Sequence, residues 1–207
     1  MPNSSVLIEQ TNYISQNPII KALLSNFIDK ICASLISIGA SKKRGIDAGC
    51  GEAHMLGHLH AQGVVGEIVA VDVNNDYLAY AMNKYPYDDF LAADLINLPF
   101  PDHTFDYVIS TEVFEHLDDP VSAIAELRRI GKKDAYLIIS VPFEPFFHWG
   151  NIARGKYWSR GGYTPDHRNL WHRNDFRSFL APFVHIEREY GFKSFTWLLF
   201  VCRFKSL

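Results

Sequence analysis

Cysteine is scarce in this chain. Cys32, Cys50 and Cys202 are the only three in 207 residues, and no two form a C-x-x-C pair. That excludes a disulfide framework and a cysteine-built zinc site, and it fits a reducing compartment. No run reaches the roughly 18 apolar residues that a spanning helix needs. The amino terminus lacks the basic stretch and apolar core of a signal peptide, so the expected location is cytoplasmic. A basic excess is missing as well. With 20 Lys+Arg against 23 Asp+Glu and a formal net charge of -3, there is no strong nucleic-acid signal. Internal repeats and low-complexity segments are absent. What is present, 48% hydrophobic and 21% charged residues, is the composition of a globular protein with one large core.

The charge is unevenly placed. Residues 44–142 hold 6 Lys+Arg against 16 Asp+Glu, whereas residues 143–180 hold 6 against 3. An anionic acceptor would therefore be met by the second segment. Met1 to Gln16 reads as a loose polar arm. From Pro18, apolar residues at Ile19, Ile20, Leu23, Leu24, Phe27, Ile28, Ile31, Leu35 and Ile38 keep helical spacing, which predicts a long amphipathic helix packed on a core. Strands at 45–48, 68–73 and 90–93 then alternate with helices at 53–62 and 76–84, an order that predicts a parallel sheet covered on both faces. Two nearly continuous apolar runs, 105–110 and 136–141, read as further buried strands. Between them a helix at 120–130 has Asp119 as its cap and Pro120 in its first position. A short helix capped by Asn174 or Asp175 and two strands, 184–189 and 196–204, complete the pattern.

The stretch Arg44 to Ala53 organises the rest. A short apolar strand ends in the turn Asp47-Ala48-Gly49-Cys50-Gly51, and a helix follows. Glycines at 49 and 51 allow positive φ and close approach of a ligand, and the helix aims its free N–H groups at the turn. The next strand ends in Asp72, about 20 residues after the glycines, where an acid can accept from both hydroxyls of a ribose. No third glycine completes the dinucleotide fingerprint, so a nicotinamide oxidoreductase is the weaker reading.

Together these motifs resemble the class I S-adenosylmethionine-dependent methyltransferases, whose first motif reads D-x-G-x-G-x-G, with Ala53 here in place of the last glycine. The resemblance continues through Asp72, Ala93-Asp94-Leu95, residues 105–110, Glu112-Val113-Phe114-Glu115-His116-Leu117 and residues 137–142. The type it is similar to is the small-molecule methyltransferase, including those of ubiquinone and menaquinone pathways. It implies a Rossmann-like, doubly wound, mostly parallel seven-stranded α/β sheet with an antiparallel C-terminal strand. It further implies an N-terminal arm and helical cap (1–43), a methyltransferase domain (44–207), and S-adenosyl-L-methionine as cofactor. On this reading Asp47, Gly49, Cys50 and Gly51 hold the methionyl end, with Cys50 a small filler. Asp72 grips the ribose, Val73 lies against the adenine, Asp94 accepts from the adenine amino group, and Leu95 offers a backbone N–H. Glu112 positions the methionyl end.

Similar E-x-x-E-H runs bind magnesium in some ubiquinone-pathway and small-RNA methyltransferases, where a further histidine, here His167, assists. The preferred reading of Glu112, Glu115 and His116 is without metal, because hard cations want more oxygen ligands than this run offers. His54 and His58, four apart, read as an ordinary solvated helix face. The segment 143–172, rich in aromatic residues interleaved with Arg and Lys, is the expected acceptor lid. It suits a small, anionic or lipid-like acceptor better than nucleic acid. If the acceptor must lose a proton, His116, His148 and His167 are candidate bases, with His167 preferred. A silent cofactor-binding partner subunit is the competing reading, and the oligomeric state is not legible.

Overall fold

A computed structural model describes residues 17–85, 89–143, 152, 165, 167–191 and 197–206. The arm at 1–16, His148 and most of the lid segment 143–172 lie outside the described residues.

The long helix α1 (Pro18–Ile38) begins at Asn17, whose side chain accepts from Ile19 N, and ends at Gly39 in the left-handed region. Five strands follow in parallel: β1 (Gly45–Ala48), β2 (Ile68–Asp72), β3 (Asp89–Ala92), β4 (Phe105–Thr111) and β5 (Gly131–Pro142). Helices α2 (His54–Ala61), α3 (Asn75–Lys84), α4 (Pro120–Ile130) and α5 (Arg173–Leu180) intervene. After α5 come β6 (Val184–Tyr190) and β7 (Trp197–Phe204), and the sheet order is β3-β2-β1-β4-β5-β7-β6. β7 runs antiparallel to both β5 and β6. The expected seven-stranded, mostly parallel Rossmann-like sheet with an antiparallel C-terminal strand is therefore present.

Successive strand residues face opposite sides, as the pleat requires. Val69 and Val71 join a core with Ile124, Leu127 and Phe176, whereas Ile68 and Ala70 join a second core with Phe27, Leu35 and Leu59. The amphipathic face of α1 thus covers the same side of the sheet as α2.

Several boundaries shift from the sequence reading by a residue or more, and three of the differences have a plain physical cause. β5 starts at Gly131 rather than 136, because Gly131 pairs with Phe105 through the backbone across a register shift; its first turn-like residues, Lys132, Lys133 and Asp134, are exposed and give no apolar signal. α5 is preceded by His172 in extended conformation, so neither Asn174 nor Asp175 is its cap; Asp175 instead lies in the first turn, where its charge suits the helix dipole. α2 begins one residue late, because Ala53 is left-handed (φ 57°).

Candidate active site

The sheet order brings the carboxyl ends of β3, β2, β1 and β4 side by side, and with them Asp94, Asp72, Asp47 and Glu112. At the centre is the glycine turn. Gly49 N and Cys50 N both donate to Val71 O (2.8 and 2.9 Å), and Ala53 N donates to Cys50 O at 2.9 Å. Gly49 and Gly51 have φ of 85° and 54°, so the glycines supply the backbone expected of them. Ala53 keeps a glycine-like φ, at a cost of about 1–2 kcal/mol. Its fully buried methyl group returns part of that, by about 0.8 kcal/mol.

Asp72 does more than the sequence suggests. Its Oδ2 accepts from Gly51 N at 2.8 Å and its Oδ1 from Asn74 N at 2.8 Å. One carboxylate thus fastens the glycine turn to the loop opening α3. Each oxygen keeps a second lone pair for a hydroxyl, so the clamp is compatible with ribose binding. Asp47 is buried within β1 (2% exposed). Cys50 is half-buried against the α1–α2 core. Val73 is 70% exposed beyond β2, a free apolar surface at the cleft, and the Leu95 side chain is buried. Asp94 Oδ1 accepts from Ile96 N at 3.2 Å, so it forms a turn in addition to whatever it binds.

From residue 45 to residue 83 there is no Lys or Arg. A cofactor carrying a pyrophosphate would meet no Lys or Arg from this stretch. A polyhydroxyl nucleoside carrying ammonium and sulfonium charges would meet carboxylates of complementary charge. The donor and acceptor set therefore fits S-adenosylmethionine.

Beside the turn lies the run 112–117. It touches the glycines directly, since a Cβ on Gly49 would stand 2.5 Å from Val113 Cγ2. Glu112 is left-handed (φ 59°) and its Oε1 accepts from the buried Ser140 Oγ at 2.9 Å. Burial, and then the neighbouring Glu115, push its carboxyl well above the usual carboxylate range. Because an acid raised in the folded state opposes folding once pH passes its unfolded value, that penalty grows from acid toward alkaline pH. Glu112→Gln, which keeps an acceptor for Ser140, should raise the thermal midpoint at pH 8 more than at pH 5. Differential scanning calorimetry at the two values checks this, and an equal shift at both would count against it.

A second strand of chain is strapped over this run. Arg168 N and Asn169 N donate to Glu115 O (2.7 and 2.9 Å), and Asn169 Nδ2 donates to Phe114 O and Leu117 O (3.2 and 2.7 Å). The strap brings His167 to His116, ring centroids 5.2 Å apart. One donor atom from each of Glu115, His116 and His167 lies within 4.8 Å of the other two. The Glu115 carboxylate is almost fully buried, with His116 Nε2 3.8 Å away.

Asn169, Ser140 and Val113 escaped the sequence reading, since each acts through partners distant in the chain. His54 corrects it. Its side chain is only 11% exposed, its Nε2 lies 3.0 Å from Glu52 Oε2, and burial lowers its pKa; only His58 is on a solvated face. The basic character of 143–180 is also reduced. Arg168 pairs with Asp118, and Arg173 and Arg177 both pair with Glu189. Trp171 of the expected lid instead packs with Phe176 and Phe179 in the core (ring centroids 5.0 Å for each).

Comparison with known proteins adds the following. The family described as "Methyltransferase domain" matches residues 46–139. A probable S-adenosylmethionine-dependent methyltransferase of Mycobacterium tuberculosis is 31% identical over 97 residues, covering 47% of this chain and 35% of that protein. The malonyl-[acyl-carrier protein] O-methyltransferase of Yersinia pestis is 26% identical over 142 residues, covering 69% of this chain and 47% of that protein. The chain thus spans between a third and a half of the length of these curated relatives. Among solved structures, a SAM dependent methyltransferase from Aquifex aeolicus superposes with a TM-score of 0.65 at 20% identity, covering 85% of this chain and 88% of that one.

Proposed function

We propose that this chain, which matches the methyltransferase-domain family over residues 46–139 and is similar to S-adenosylmethionine-dependent methyltransferases, transfers a methyl group to an oxygen, nitrogen or carbon nucleophile of a small acceptor. The observation that carries this reading is the glycine turn clamped by Asp72, within a stretch, 45–83, that holds no Lys or Arg. Asp72 and Asp94 would hold the nucleoside, and Asp47, Gly49, Cys50 and Gly51 the amino-acid end. S-adenosylmethionine, when bound, supplies a methyl group made electrophilic by its sulfonium. The chain's own contribution is placement of the acceptor and removal of its proton where it has one.

For that proton the imidazoles of His116 and His167 are the best-placed groups, beside Glu112 and Glu115 at the open end of β4. The lid segment 143–172 would cover the acceptor, and a small lipid-like one suits its aromatic content. Support for an anionic acceptor rests on Arg154, Lys156 and Arg160, because Arg168 is already paired. No described helix is long and apolar enough to cross a membrane.

A second reading has a specific observation behind it: the closeness of the Glu115, His116 and His167 donors would suit a cation. One carboxylate oxygen and two imidazole nitrogens favour a borderline transition ion over magnesium. His167→Ala should lower turnover about 10²-fold or more while leaving cofactor affinity unchanged, as read by single-turnover kinetics and calorimetry. Stripping with a chelator followed by dialysis should leave the parent's turnover intact. Loss of turnover on stripping, restored by an added transition ion, would support the cation instead. Unchanged turnover in His167→Ala would remove that residue from the chemistry. If no methyl is transferred to any acceptor although cofactor binds, the silent partner subunit is the better account.

A further inference from the structure

The amino-terminal end of the sheet, opposite the cleft, has the reverse charge. A cavity of about 220 Å3 opens there between the end of α4, the start of β5 and the end of β7, and its wall includes His103, Arg128, Lys132, Lys133, Asp134 and Lys205. Three of the six Lys and Arg residues between 44 and 142 line it, although that segment is otherwise strongly acidic.

Three of these cations, Arg128, Lys132 and Lys205, are held in place with donors to spare. Arg128 spends two N–H groups on Lys205 O and Ser206 O (both 3.0 Å). Lys132 Nζ spends one on Asp106 Oδ1 (2.9 Å), and Lys205 Nζ one on Ala181 O. A guanidinium has five N–H donors and an ammonium three, so each keeps at least two. His103 Nδ1 lies 3.1 Å from Gly131 O. A carbonyl only accepts, so Nδ1 carries its proton. Arg128 also sits in the last turn of α4, where a cation offsets the helix dipole. That role alone explains Arg128 but not the lysines beyond the helix or Lys205 from the other end of the chain.

The backbone adds an independent observation. Among the described residues four non-glycine positions have positive φ: Ala53, His103, Glu112 and Asp134. Ala53 and Glu112 border the cofactor cleft, and His103 and Asp134 border this cavity. Such conformations cost about 1–3 kcal/mol each and gather where a site over-determines them.

We propose that this cavity binds a phosphate-class oxyanion, either inorganic phosphate or the phosphate monoester of a small ligand. Donors already ordered on several sides suit a tetrahedral dianion better than a planar carboxylate. The proposal does not depend on the methyltransferase reading, which concerns the other end of the sheet.

Isothermal titration of the whole chain with inorganic phosphate, and in parallel with glycerol 3-phosphate, tests it, with KCl at matched ionic strength as the control for screening. Saturable one-site binding of at least one of them is expected, and the tighter arm identifies the source. Lys133→Glu, at an exposed position, should weaken it by about tenfold or more and should not alter S-adenosylmethionine binding. Absence of saturation with both anions, or Lys133→Glu binding as tightly as the parent, would overturn the proposal.

Discussion

Gly49→Ala should lower the thermal midpoint by about 4–20 °C, at roughly 2–4 °C per kcal/mol for a chain of this size, and weaken cofactor binding with it. Two costs combine. The backbone at φ 85° charges an L side chain about 1–2 kcal/mol. The new methyl would stand 2.5 Å from Val113 Cγ2 and 3.0 Å from Cγ1, overpacking of about 1–3 kcal/mol. The two can be separated, because only the second depends on Val113. In the Val113→Ala background, Gly49→Ala should therefore cost less than in the parent, by the overpacking share, and still cost the φ share. Thermal melts of the four proteins of this cycle check it. Simple additivity would mean that the glycine turn and the 112–117 run do not touch as described.

Asp72→Ala should reduce affinity for S-adenosylmethionine by about 10²–10⁴-fold, because the two ribose hydrogen bonds proposed for this charged acceptor would be worth about 1.5–3 kcal/mol each. Loss of the proposed ribose contacts would be only part of the effect. Gly51 N and Asn74 N both lose their acceptor, so the turn and the α3 loop come apart in the free protein too. Asp72→Asn should be nearly as damaging. An amide offers one acceptor oxygen, and its NH2 group would face a backbone donor on the other side. A protein in which Asp72 merely capped α3 would lose stability and keep its affinity. Calorimetry on folded variant separates these outcomes.

Much of this architecture was readable from residue order. The continuous apolar strands and the Asp119-Pro120 opening of α4 fix local structure through short-range chemistry, and the side chain of Asp119 does accept from Ser122 N (3.0 Å). The start of β5 is not legible, because only Gly131 pairs with β4 there and the exposed Lys132-Lys133-Asp134 fall in the irregularity before Tyr136 rejoins the ladder. The cleft acids were legible as strand-end carboxylates, but the Asp72 clamp was not, since its partner Gly51 is chosen by the fold. Asn169 is the clearest omission. It satisfies the carbonyls of Phe114 and Leu117, more than fifty residues earlier, and nothing near it in sequence announces that. Helical spacing alone does not say that the end of α3 lies over His54, where Tyr85 Oη stands 3.4 Å from its Nδ1.

The central claim is that the carboxylate-lined turn after β1 holds a sulfonium nucleoside. Its most direct test is a calorimetric titration of the parent chain with S-adenosylmethionine and, separately, with NAD. Saturable one-site binding of the first and none of the second is predicted. No measurable binding of S-adenosylmethionine, or binding of NAD as tight, would contradict it.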